Sequence, residues 1–289
     1  MSNPKVLITG AAGQLGRAVM TRFPKRYSCL GTDVANTRSG IVYMDITSRS
    51  SIQGVVNQFR PDVILNLAAM THVDRCEEQP QLAQRINTEA VQNLLDCFSG
   101  YFIHISTDYV FDGRSGPYSE GDPTHPINVY GQTKCASEHI VLDSGNPALV
   151  VRTNVVFDYL PTQASFMTFV IDSLRQGKSI RIVDDQWNNP TWTVDLAAAL
   201  ERMLQQGHQG LIHYGGADYL DRYSFAHLIA DVFDLNPALI HRIKTEDLHQ
   251  PAPRPRKGGL KTDLFQKKFD CSPMELKTAL EHIRRDTGS

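Results

Sequence analysis

Short apolar runs alternate with amphipathic stretches from the start of the chain. Residues 6–9 are β-rich and lead into a glycine turn, after which residues 14–23 carry a helical pattern. Residues 28–32 and 41–44 predict two more strands, and residues 50–59 a helix with Val55, Val56 and Phe59 on one side. Pro61 stops that helix, and Val63-Ile64-Leu65 opens another buried strand. Residues 80–98 are helical by pattern, with Leu82, Ile86, Val91, Leu94 and Leu95 near one stripe; Phe102-Ile103-His104-Ile105 returns to strand. Strands apolar on both faces and separated by helices imply a parallel sheet covered on each side. Right-handed crossovers then give an α/β, doubly wound, Rossmann-like sheet.

Beyond Val151 the rhythm loosens. Residues 166–174, 194–204 and 225–233 read as helices, separated by strands at 180–183 and 211–214. The run Pro251-Ala252-Pro253-Arg254-Pro255 has to be an extended surface segment. The expected division is a dinucleotide-binding core over 1–155 and a smaller mixed α/β lobe over 156–289, which binds substrate and returns elements to the core. There is no internal repeat and no low-complexity tract.

Composition narrows the function classes. At 41% hydrophobic and 21% charged residues the chain can bury a sizeable core. Lysine plus arginine number 29 against 31 acids, so no overall field gathers a polyanion and general nucleic-acid binding is not expected. No apolar run approaches the ~20 residues that cross a bilayer, and no leader pattern precedes Lys5-Val6-Leu7-Ile8. The five cysteines, at 29, 76, 97, 135 and 271, are odd in number, scattered and without a Cys-x-x-Cys pair. Neither a disulfide framework nor a metal site is expected, and a cytoplasmic protein is. His72, Asp74 and Cys76 are too irregularly spaced for a ligand set and belong to a loop near the cleft.

Three features carry chemistry. The turn Gly10-Ala11-Ala12-Gly13-Gln14-Leu15-Gly16 joins a predicted strand to a predicted helix, where glycines let backbone N–H groups approach a pyrophosphate. Asp33 follows the second strand, placed to accept from adenosine ribose hydroxyls and to repel a 2′-phosphate. That leans toward NAD; Arg38 nearby would offset the repulsion and admit NADP. Tyr130 and Lys134, four apart, share a helix face, and Thr107 ends the strand His104-Ile105-Ser106-Thr107 at the carboxyl edge of the sheet. A phenol of ordinary pKa about 10 beside an ammonium and a cationic nicotinamide would be drawn toward phenolate. His104 itself reads as a sheet residue rather than a catalyst. Trp187 and Trp192 read as packing residues, with one bordering the substrate pocket.

The chain resembles the extended short-chain dehydrogenases/reductases, and within them the dTDP-4-dehydrorhamnose reductase family. The resemblance rests on residues 7–16, Asn66-Leu67-Ala68-Ala69, Ser106-Thr107-Asp108-Tyr109-Val110-Phe111-Asp112-Gly113, residues 128–134, Val151-Arg152-Thr153, residues 185–191 and Arg254-Pro255-Arg256. It implies that Thr107 polarises a carbonyl, Tyr130 donates the proton and Lys134 holds ribose. It also implies that Gly13, Gln14 and Leu15 meet pyrophosphate, Asp45 and Ile46 flank adenine, Ala68 and Ala69 line the cofactor cleft, and Asp108 touches sugar. The implied reaction is hydride transfer from NAD(P)H to the 4-keto carbon of a deoxysugar nucleotide by an enzyme that is commonly a homodimer. Val155 stands where the family often has an aromatic on the sugar, and residues 158–163 depart from its usual glycine-containing loop. Arg254, Arg256 and Lys257 offer a diphosphate clamp or a solvated basic loop. Two alternatives remain open: a reductase or epimerase on another nucleotide sugar, and a non-catalytic regulator similar to the methionine adenosyltransferase beta subunit.

Overall fold

The structure, a computed structural model, describes residues 3–35, 40–160 and 165–288. Its first part runs β1 (Lys5–Thr9), α1 (Gln14–Arg22), β2 (Ser28–Asp33), β3 (Ile41–Tyr43), α2 (Arg49–Phe59), β4 (Val63–Asn66), α3 (Val73–Glu78), α4 (Pro80–Gln84), α5 (Ala90–Asp96), β5 (Tyr101–Thr107), α6 (Val129–Leu142) and β6 (Ala148–Thr153). The rest adds β7 (Val156–Phe157), α7 (Phe166–Arg175), β8 (Ile180–Val183), β9 (Trp187–Asn188), β10 (Thr191–Trp192), α8 (Thr193–Gln205) and β11 (Gly210–His213). It ends with β12 (Leu220–Asp221), α9 (Arg222–Val232), β13 (Ile240–Ile243), α10 (Asp263–Phe269) and α11 (Leu276–Thr287).

The central sheet has the order β3-β2-β1-β4-β5-β6-β11, and every pairing in it is parallel. Alternate side chains explain why its strands are apolar throughout. Val6 and Ile8 pack with Val19, Leu200 and Phe265 on one face, while Leu7 packs with Ile52, Val91 and Leu94 on the other. The strand order reverses between β1 and β4, so the crossovers diverge there and leave a crevice at the carboxyl ends. Thr9, Asn66, Thr107 and Thr153 are the last residues of the four strands around it.

The later part divides its elements. Helices α8 and α10 pack on the sheet through Leu196, Leu200, Met203 and Phe265, and β11 extends it beside β6. Around a second core, Phe157, Met167, Ile171, Phe225, Ile229 and Leu280 join α7, α9 and α11. Strand β8 pairs with β13 there, outside the central sheet.

Residues 80–96 form a continuous helical run, as the pattern predicts, with one addition: a π-helical turn, Arg85–Glu89, lies between α4 and α5. It turns Asn87 inward, where Oδ1 accepts the Met70 N–H at 2.7 Å and Nδ2 donates to the Met70 carbonyl at 3.1 Å. Residues 72–76 are not a loop but the start of α3, capped by His72 Nδ1 accepting the Arg75 N–H at 3.2 Å. Arg38 and residues 161–163 of the departing loop lie outside the described residues.

Candidate active site

A cleft of about 870 Å³ runs along the switch point. Gly10, Gly13, Gln14, Leu15, Gly16 and Asp33 line one part of it, together with Asp45, Ile46, Ala68 and Ala69. Among the described residues no side chain caps α1, whose N-cap is Gly13, so the N–H groups of Gln14, Leu15 and Gly16 are open to an anion. Gln14 Oε1 is buried there without a hydrogen-bond partner. Asp33 accepts the N–H groups of Ala12 at 3.1 Å and Ala35 at 3.0 Å, bracing the glycine turn from the end of β2. An unclaimed helix start, an orphaned amide oxygen and a cradle closed to side chains fit a dinucleotide.

Gly16 makes the cradle possible. A Cβ there would sit 2.4 Å from the Gly10 carbonyl oxygen and 2.7 Å from Ala11 Cα, both backbone atoms that cannot swing aside. Gly16→Ala should therefore push α1 off the turn, destabilising by about 1–3 kcal/mol. Calorimetric titration should show cofactor affinity weakened at least ~10-fold, about 1.4 kcal/mol; unchanged affinity would place the dinucleotide elsewhere.

The other wall carries Thr107, Tyr130 and Lys134. Asn128 starts α6 by accepting the Gly131 N–H at 2.8 Å, which puts Tyr130 in the first turn and Lys134 one turn on. Gly131 lets α6 close on the turn after β5, since a Cβ would stand 2.1 Å from the Tyr109 carbonyl oxygen. That approach brings the Tyr130 phenol beside the Thr107 hydroxyl. The Tyr109 ring meets the Tyr130 ring edge-on, centroids 5.6 Å apart.

Burial pushes the Tyr130 phenol up, and the neighbouring Thr107 hydroxyl only partly opposes it. Lys134 is 2% exposed, and burial lowers its pKa to about 7 against the pull of Glu138. The expected pull toward phenolate is thus not what the protein's own groups produce. Desolvation raises the phenol and weakens the very charge that was to lower it. At neutral pH Tyr130 keeps its proton.

Behind this wall the sequence reading missed a polar layer. His104 is a buried strand residue, as expected, but its Nε2 lies 2.9 Å from Lys134 Nζ. Asn66 Nδ2 is 3.0 Å from its Nδ1. A histidine inside the otherwise apolar run Phe102-Ile103-His104-Ile105 was the available signal, because a buried polar group needs a partner.

Next to Thr107, Asp108 lines the cleft, is 3% exposed and accepts the Gly259 N–H at 3.1 Å; burial raises its pKa. Val155 also lines the cleft, with a φ of 37°. For a β-branched residue that left-handed backbone costs on the order of 1–3 kcal/mol, strain that the surrounding fold has to hold. Arg254 and Arg256 do not line the cleft. Arg254 is paired with Asp74 at 2.8 Å, and Arg256 faces Asp185 at 3.5 Å and Glu246 at 3.8 Å. Asp74 and Asp185, both far off in sequence, hold the two guanidinium groups. Arg222, not singled out from sequence, lines the cleft instead, its Nε donating to Gln186 Oε1 at 3.2 Å. Trp187 is 36% exposed and Trp192 is buried; neither lines the cleft.

The chain is 32% identical over 301 residues to the dTDP-4-dehydrorhamnose reductase of Aggregatibacter actinomycetemcomitans, covering 97% of this chain and 98% of that protein. It is also 32% identical over 282 residues to methionine adenosyltransferase 2 subunit beta of Xenopus laevis, covering 94% and 81%. A dTDP-4-dehydrorhamnose reductase of Bacillus anthracis, solved in complex with NADP, superposes with a TM-score of 0.91 at 27% identity over 99% of this chain and 100% of that one. A dTDP-4-dehydrorhamnose reductase ortholog from Clostridium acetobutylicum gives 0.89 at 30% identity, with the same coverage. With residues 4–288 matched, the chain belongs to the RmlD substrate binding domain family, within the extended short-chain dehydrogenases/reductases.

Proposed function

We propose that this protein reduces the 4-keto group of a deoxysugar nucleotide, dTDP-4-dehydro-L-rhamnose, to dTDP-L-rhamnose, using a reduced nicotinamide dinucleotide. The observation that carries the reading is the pairing of a glycine cradle with Thr107, Tyr130 and Lys134 across one cleft. Gly10, Gly13, Gln14, Leu15 and Gly16 hold the pyrophosphate, Asp33 the adenosine ribose, Asp45 and Ile46 the adenine, and Ala68 and Ala69 the cleft wall. When bound, the reduced nicotinamide supplies the hydride.

The chain's own residues handle the proton and the orientation. Thr107 donates its hydroxyl to the carbonyl oxygen and fixes it beside Tyr130. The Tyr130 phenol, kept protonated by burial, gives its proton to the oxygen as the carbonyl becomes an alcohol. Lys134 holds the ribose and, titrating at about 7, is matched to restoring that proton at neutral pH. Asp108 and Val155 face the sugar, and Arg222, with Arg75 and Arg85, is among the cleft arginines available to the diphosphate. Residues 1–155 serve the cofactor and residues 156–289 the substrate. Five free thiols favour the cytoplasm as the compartment.

The test has two arms. Thermal unfolding with dTDP, UDP or GDP should show protection by dTDP, about 2.7 kcal/mol at a hundredfold excess over Kd. Loss of reduced-nicotinamide absorbance should then require a dTDP-4-keto sugar, with NADH ahead of NADPH because of Asp33. Persistent silence together with tight binding to a methionine adenosyltransferase would instead support the regulatory reading, which the relative of Xenopus laevis favours.

A further inference from the structure

Thr9, Asn66 and His104 sit on adjacent strands in register, Thr9 opposite Asn66 and Asn66 opposite His104, and none is more than 1% exposed. Their protons can be placed by counting. Thr9 Oγ1 accepts the N–H groups of Leu67 at 3.2 Å and Ala68 at 3.1 Å, so both lone pairs are in use. Its own proton goes to Asn66 Oδ1, at 2.6 Å, a length typical of O–H···O. The Asn66 amide is thereby fixed, its NH₂ donating to His104 Nδ1. A neutral imidazole whose Nδ1 accepts carries its proton on Nε2. Burial, then Lys134, hold His104 well below its ordinary pKa, so the ring is neutral.

That Nε2–H faces Ser137 Oγ at 3.0 Å and Lys134 Nζ at 2.9 Å. Ser137 spends its proton on the Lys134 carbonyl at 2.7 Å, so its Oγ accepts and the single Nε2–H is shared between Ser137 Oγ and Lys134 Nζ. We infer that Thr9, Asn66 and His104 form a one-directional hydrogen-bonded chain that presents an imidazole N–H to Lys134, fixing its Nζ and favouring its amine form. His104 is thus a positioning residue for the reduction, an inference that rests on the catalytic reading of Tyr130 and Lys134.

The other groups around Lys134 do not replace this contact. From α6, Tyr130 and Glu138 accompany it; Glu138 is bound by Arg152 of β6 and Ser106 of β5. Elements packed on α6 elsewhere contribute Glu77 of α3, on the Val129 N–H, and the neutral Asn87 and Thr88 of the π turn, on Thr133. Among the described residues, Glu138 is the group that pulls Lys134 toward the ammonium.

The test is an NMR titration of Lys134 in protein labelled at lysine Cε, without substrate. His104→Leu should raise the Lys134 pKa by at least ~1 unit, a tenfold change in proton affinity. His104→Gln, which restores an N–H, should return it to within about half a unit of wild type. The pH profile of kcat/KM should move by the same amounts. An unchanged or lower pKa in His104→Leu, or a Gln variant behaving like Leu, overturns the inference. If His104→Leu does not fold, ring ¹⁵N shifts of wild-type His104 decide, with a proton on Nδ1 refuting the chain. Because the titration uses no substrate, a wild type that turns over no keto sugar defeats the proposed function and leaves this result standing.

Discussion

Tyr130→Phe is expected to lower turnover of the 4-keto sugar nucleotide at least ~10³-fold while cofactor affinity stays within about threefold of wild type. The substitution keeps the ring, and with it the edge-on contact to Tyr109. It removes only the O–H, the group that lies beside Thr107 and that delivers the proton. Thr107 remains to orient the carbonyl, but an aliphatic hydroxyl is a far weaker acid than a phenol and cannot take over. Single-turnover kinetics with the keto substrate separate the lost step from binding. Turnover near the wild-type rate would remove Tyr130 from the reaction.

The core of the fold was legible because its strands are buried on both faces. Val63-Ile64-Leu65 is apolar without alternation because helices lie above and below, and β4 is buried at all four positions. The glycine turn and the Tyr130–Lys134 spacing were legible for a local reason: each depends only on a few consecutive residues and the helix period. Long-range pairing was not. The apolar run at β8 says that it is a strand, but nothing in it says that β13 is its partner. Arg254 reads as a free cation until Asp74, distant in sequence, is seen beside it. The π turn at Arg85–Glu89 inserts an extra backbone step, so that Leu82 and Ile86 pack by Met70 and Cys76 while Val91 and Leu94 pack on the sheet, although the sequence pattern on either side looks continuous.

Arg152→Met is expected to destabilise the protein by about 3–5 kcal/mol, roughly 10 °C in Tm for a chain of this size. Arg152 Nε and Nη2 hold Glu138 Oε1 and Oε2 at 2.9 and 2.6 Å, with side chains 5% and 2% exposed. The guanidinium also lies over the Phe111 ring, 5.0 Å from its centroid. Methionine fills much of that volume, so the loss measures the stranded carboxylate, left with Ser106 as its remaining donor. The double variant Glu138→Met/Arg152→Met should recover most of the stability, because it removes both charges and no unpaired ion stays inside. The pair also reaches the site, since Glu138 lies one turn beyond Lys134 and draws it toward the ammonium. Freed from Arg152, an ionised Glu138 should raise the Lys134 pKa, whereas the double variant should lower it below wild type. Opposite shifts in one lysine titration, from two variants that differ by a single side chain, would show that the buried pair sets the working charge of the site as well as holding the sheet to its helix.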